Sequence, residues 1–117
     1  MTEEELKQRT HKFALRIFKL AEALPQTRTG NTIATQIIRS ASSVAANYRA
    51  LCRSKSRADF INKTSIVEEE ADETAFWLEL IADAGLLARS RIQRLLDEAK
   101  ELVAILVASR RTASRRS

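Results

Sequence analysis

Four stretches of the chain place apolar or small residues at alternating steps of three and four. In the first, Leu6, Thr10, Phe13, Ile17, Leu20 and Leu24 share one helical face. In the second the stripe is Ile33, Ile37, Ala41, Val44, Tyr48 and Leu51. The third, Phe60, Thr64, Val67, Ala71, Thr74, Leu78 and Ile81, keeps strict spacing throughout and predicts a helix-packing seam. The fourth is broader: Ile92, Leu95, Leu96, Ala99, Leu102, Val103, Leu106 and Val107.

Local signals set the expected boundaries. Thr2 and Glu5 have capping-box spacing, and Pro25 stops the first helix after Leu24. Pro25 to Asn31 reads as a loop, so the second helix is expected from Asn31 to Arg53. Ser56 and Asp59 are spaced to cap the third helix, and Gly85 ends it. Ser90 and Gln93 form the expected cap of the fourth. The connections are short, which predicts an all-α fold, an antiparallel up-down-up-down four-helix bundle. Its core is expected to take Ile17, Ile37, Val44, Val67, Leu78 and Leu95. Residues 1–109 make the expected domain. Residues 110–117 lack apolar periodicity and read as a basic, frayed C-terminal tail.

Some apolar residues fall outside these stripes. Leu15 and Phe18 lie off the first and point to a second contact surface. Ile66, Phe76, Trp77 and Leu80 lie off the third, and a helix apolar on several faces needs a second partner. Phe76, Trp77 and Leu80 are therefore the expected oligomer interface.

Composition agrees with helices. The 117 residues include two glycines and one proline, with many good helix formers. One cysteine, Cys52, excludes an intrachain disulfide. The acidic start Met1-Thr2-Glu3-Glu4-Glu5 does not resemble a secretory signal, and no stretch approaches the ~20 apolar residues of a membrane span. A cytoplasmic protein with no membrane partner is expected.

Charge is unevenly spread. Residues 23–58 carry six bases and no acid, whereas residues 59–88 carry one base and eight acids. Arg39, Arg49, Arg53, Lys55 and Arg57 belong to the first block. They can contact phosphates or pair with the third-helix acids, and the near-equal opposite charges favour pairing as the larger use. Tyr48 could stack on a base only if exposed, and its place on the stripe assigns it to the core.

Catalytic chemistry finds little support. A carboxylate metal site in a bundle wants Glu-x-x-His, but the only histidine, His11, follows Gln8 at that spacing. No glycine-rich phosphate loop is present. Arg53 could lower the Cys52 pKa, yet no histidine can be placed beside the thiol. No enzyme activity, cofactor or metal is expected.

The run Arg39-Ser40-Ala41-Ser42-Ser43-Val44-Ala45-Ala46-Asn47 resembles the second-helix signature of the four-helix-bundle protein family, also known as the 23S ribosomal RNA intervening-sequence proteins. Asp59-Phe60 and the stretch Ile66 to Leu80 are similar to its third helix. The resemblance implies a homo-oligomer, a pentamer by analogy with the similar accessory protein of diversity-generating retroelements. It also implies RNA or DNA, and a protein such as a reverse transcriptase, as partners. The chain departs from the commoner pattern after Asn47, where Tyr48-Arg49-Ala50-Leu51 replaces Ile-Ala-Glu-Gly. Any role of that glutamate is not carried over.

The expected function is a non-catalytic oligomeric accessory factor that binds nucleic acid. Its candidate contacts are Arg49, Arg53, Arg57, Arg110, Arg111, Arg115 and Arg116. The alternative is a structural or protein-interaction scaffold with no nucleic-acid role.

Overall fold

The computed structural model describes residues 1–116, which form four helices: α1 (Glu3–Glu22), α2 (Arg28–Leu51), α3 (Arg57–Asp83) and α4 (Arg89–Arg115). The bundle measures 49 × 21 × 19 Å. α1 packs on α2, α2 on α3, α3 on α4, and α4 less closely on α1; α1 and α3 lie across the diagonal. Neighbours run in opposite directions. Glu68 of α3 meets Arg110 of α4, while Glu79, further along α3, meets Lys100, earlier in α4. Five-residue links cannot return the chain to the far end of a helix ~30–40 Å long, so α1–α2 and α2–α3 are also antiparallel.

Two caps match the sequence. Thr2 Oγ1 accepts from the Glu5 N–H at 3.1 Å, and the reciprocal bond completes the capping box. Ser56 Oγ accepts from the Asp59 N–H at 3.1 Å. Gly85, at φ 68°, ends α3, with the Leu86 N–H reaching Ile81 O and its own N–H reaching Ala82 O. This is the left-handed closure in which an L side chain is disfavoured.

Three expectations are corrected. α2 starts at Arg28, three residues before the expected start, because Thr27 supplies the cap: its Oγ1 accepts from the Gly30 N–H at 3.1 Å. Gly30 is thus a buried helical residue, and a Cβ there would lie 1.9 Å from Pro25 O. α4 starts at Arg89 with Ala88 as its cap residue and no side-chain cap bond. Gln93 Nε2 donates instead to Asp97 Oδ1 at 2.8 Å, so Ser90 and Gln93 form no cap. Residues 110–115, read as a frayed tail, continue α4. They are held after the apolar stripe ends by Arg110 on Glu68 and by half-buried Ala113. Ser117 lies outside the described residues.

The expected core is present. Ile17, Ile37, Val44, Val67 and Leu78 are inaccessible to solvent, and Leu95 is buried. Phe60, in the first turn of α3, is half-buried, while the rest of that stripe is buried. The small residues of α2 bring α3 close enough for one buried polar bridge. The Thr74 hydroxyl donates to Ser40 Oγ at 2.8 Å, with Thr74 Oγ1 also 2.9 Å from the Glu70 carbonyl oxygen. No buried side-chain polar atom is left without a partner among the described residues.

Candidate nucleic-acid and assembly surfaces

The antiparallel order brings four helix termini to each end of the bundle. One end gathers the end of α2, the start of α3 and the end of α4. Arg49, Arg53, Lys55 and Arg57 therefore lie towards the same end as Arg111, Arg115 and Arg116, which are remote in sequence. Arg57 Nη1 donates to the main-chain carbonyl of Arg116, which ties the two groups together. All seven are exposed. Among the described residues none of them forms an ion pair. The start of α1 brings Glu3, Glu4 and Glu5 to the same end, where they offset part of the positive charge.

The other two arginines of interest behave differently. Arg39 of α2 pairs with Glu70 at 3.2 Å and with Glu73 of α3. Arg110 Nε donates to Glu68 Oε2 at 2.9 Å. Their guanidinium pKa values are raised, first by the hydrogen bond to Glu73 and to Glu68 respectively. The basic block thus divides its work: Arg39 is a structural partner of the α3 acids, whereas Arg49 of α2, Arg53 of the α2–α3 link and Arg57 at the start of α3 form no ion pair among the described residues. Arg110, a candidate contact, is engaged within the bundle.

Sequence reading missed two basic grooves. Lys7, Gln8, His11 and Lys12 of α1 join Ala45 and Arg49 of α2 around a groove of about 250 Å³. Arg16 and Lys19 of α1 face Ser90, Arg91 and Arg94 of α4 across a groove of about 320 Å³. The available signal was the run of bases Lys7, Lys12, Arg16 and Lys19 away from the core stripe of α1. Its partners on α2 and α4 could not be named before the helices were placed.

The outward face of α3 combines acids with apolar side chains. Phe76 is 49% exposed and Ile66 45%. Trp77 and Leu80 are half-buried. Phe76 and Trp77 meet edge to face with centroids 5.0 Å apart. Trp77 Nε1 donates to Glu73 Oε2 at 3.0 Å, and that bond, followed by Arg39, lowers the Glu73 pKa. Glu69 and Asp72 are exposed on the same helix.

Tyr48 is buried, so it offers no stacking surface. Burial pushes its phenol pKa up, and the Cys52 thiol beside it is likewise pushed up by burial. The possibility that Arg53 lowers the Cys52 pKa is therefore not realised. Among the described residues no group of three or more His, Cys, Asp or Glu could hold a metal ion. No helix of the described residues is long and apolar enough to cross a membrane.

Comparison with known proteins adds three findings. The profile of a family described as 23S rRNA-intervening sequence protein matches residues 2–108. A crystal structure of a protein of unknown function from the S23 ribosomal protein family of Bacteroides thetaiotaomicron is similar over 89% of this chain and 96% of its own, with 34% identity and a TM-score of 0.82. No curated protein matches the chain.

Proposed function

The chain belongs to the 23S rRNA-intervening sequence protein family, and from that premise we propose that it is a non-catalytic, oligomeric accessory protein that binds RNA or DNA through one end of its bundle. The observation that carries this reading is the gathering of Arg49, Arg53 and Arg57 with Arg111, Arg115 and Arg116 towards one end of the bundle, where Arg57 contacts Arg116 and none of the six forms an ion pair among the described residues. Like charges gathered at one end repel one another, and a polyanion relieves that repulsion. Arg110 is left out of the contact set because Glu68 holds it.

The chemistry fits backbone recognition. Arginine forks match phosphate oxygens, and exposed flexible side chains carry no base code. Affinity should fall steeply with salt, in proportion to the phosphates neutralised. An oligomer would multiply each weak end through avidity. Oligomerisation itself draws support from the exposed Phe76 and Ile66 on α3. The family resemblance adds a ring, five-membered by analogy, and a protein partner such as a reverse transcriptase.

The test is fluorescence anisotropy with labelled RNA and DNA from low to physiological salt. Variants at Arg53, Arg57, Arg111 and Arg115, each changed to Gln, should lose affinity in a graded way with little dependence on sequence. They should also flatten the salt dependence. Absence of binding by the wild type at low salt refutes the nucleic-acid role and leaves the scaffold reading.

A further inference from the structure

The molecule carries complementary faces on diagonally opposed helices. The outward face of α3 sets Ile66, Phe76 and Leu80 among Glu69, Asp72 and Glu73. The outward face of α1 sets Leu15, which is 53% exposed, and Phe18 among Lys12, Arg16 and Lys19. Glu22 is the one acid lining the Leu15–Phe18 groove, against two bases. On α3, Lys100 of α4 is the one base lining the groove beside Phe76, against Asp72 and Glu79, and Arg39 already holds Glu73. Each face thus sets apolar side chains among charge that is mainly of one sign, acidic on α3 and basic on α1.

We infer that the α1 face of one copy docks on the α3 face of the next, so that the chain assembles head to tail. The inference deepens the oligomeric part of the proposed function and rests on it. Two arguments select this pairing. An isologous contact between two α3 faces would set Glu69 and Asp72, both exposed, against their own copies, and one between two α1 faces would do the same with Lys12, Arg16 and Lys19. Opposing like charges disfavour both. The head-to-tail contact joins apolar to apolar and acid to base. Because α1 and α3 do not touch within a subunit, both faces stay available, and each subunit needs two different neighbours. Such heterologous contacts close as rings or continue as open chains. The basic end of the bundle is not consumed by this contact, which leaves it free for a polyanion.

The experiment is light scattering at micromolar concentration on the full chain and on two charge-reversed variants. One is Arg16→Glu with Lys19→Glu on α1. The other is Glu69→Lys with Asp72→Lys on α3, two acids that form no ion pair among the described residues of the subunit. The wild type should exceed the 13.2 kDa subunit mass severalfold, and each variant alone should fall back to it. An equimolar mixture should regain a larger mass, because the reversed α1 face of one variant now suits the reversed α3 face of the other. A wild-type monomer overturns the oligomeric reading itself. An assembled wild type whose mass survives the α1 reversal, or a mixture that stays monomeric, overturns the head-to-tail pairing alone. Circular dichroism checks that each variant keeps its helicity. Should a reversal cost helicity, Arg16→Gln with Lys19→Gln replaces it, and association at least tenfold weaker than wild type is then expected; unchanged association overturns the pairing.

Discussion

Replacing Gly30 by alanine separates two reasons for which this chain could hold a glycine at that position. On propensity alone the change favours the helix by about 1 kcal/mol, since Gly30 lies in the first turn of α2 with a helical conformation. Sterics oppose it. The new Cβ would lie 1.9 Å from Pro25 O, 3.0 Å from Pro25 C and 3.2 Å from Thr27 Oγ1. The first two are backbone atoms, and the proline ring restricts the backbone torsions available for retreat. Relief therefore requires the α1–α2 link to move away from the helix it packs against. Overpacking of this kind costs about 1–3 kcal/mol. Because the nearest atom is backbone and far inside contact distance, the upper part of that range applies, and it exceeds the propensity gain. A net loss of about 1–2 kcal/mol should lower Tm by roughly 3–10 °C in a domain of this size. Thermal and urea unfolding followed by circular dichroism, at one fixed protein concentration, measures it; assembly would otherwise make Tm concentration-dependent. A Tm equal to or above the wild-type value refutes the close approach. Gly85 is the control. A Cβ there meets nothing within 4 Å, and the difficulty is its φ of 68°. Gly85→Ala should cost about 1 kcal/mol, and Gly85→Asn should cost less, because asparagine tolerates that conformation.

Two further outcomes follow from side-chain partners. Arg9 bridges α1 to Glu98 at 2.7 Å and Glu101 at 2.9 Å of α4, across the least closely packed pair of neighbours. Arg9→Met should destabilise by about 1–2 kcal/mol in urea unfolding, more than an exposed pair, because Arg9 and Glu98 are largely covered. Glu73 has a pKa lowered from its ordinary value of 4.5, so its contribution is present above pH 4.5 and is lost as pH falls through the folded-state value. Since Trp77 is the only tryptophan and donates to Glu73, its fluorescence should change below pH 4.5, and Glu73→Gln should remove that acid transition. Persistence of the transition in the variant would exclude Glu73 as its source.

The four apolar stripes determined the helices and most of the core, because three-and-four spacing places residues on one face before any partner is known. Ser56 with Asp59 and Thr2 with Glu5 were legible for the same reason: a cap is a contact over three residues. The misplaced boundaries were tertiary matters. Gly30 looked like a turn residue in sequence, yet it is glycine because Pro25 backbone passes over it. The last turns of α4 lack an apolar stripe, yet Arg110 reaches Glu68 across forty-two positions. Charge showed the same division. Composition established that bases precede acids along the chain. It could not separate Arg39, which meets Glu70 and Glu73, from Arg49, Arg53 and Arg57, which form no ion pair among the described residues. Nor could it bring Arg57 to Arg116, or set the bases of α1 opposite the acids of α3. Those placements depend on which helices become neighbours, and that is decided by how whole faces pack rather than by any short stretch of sequence.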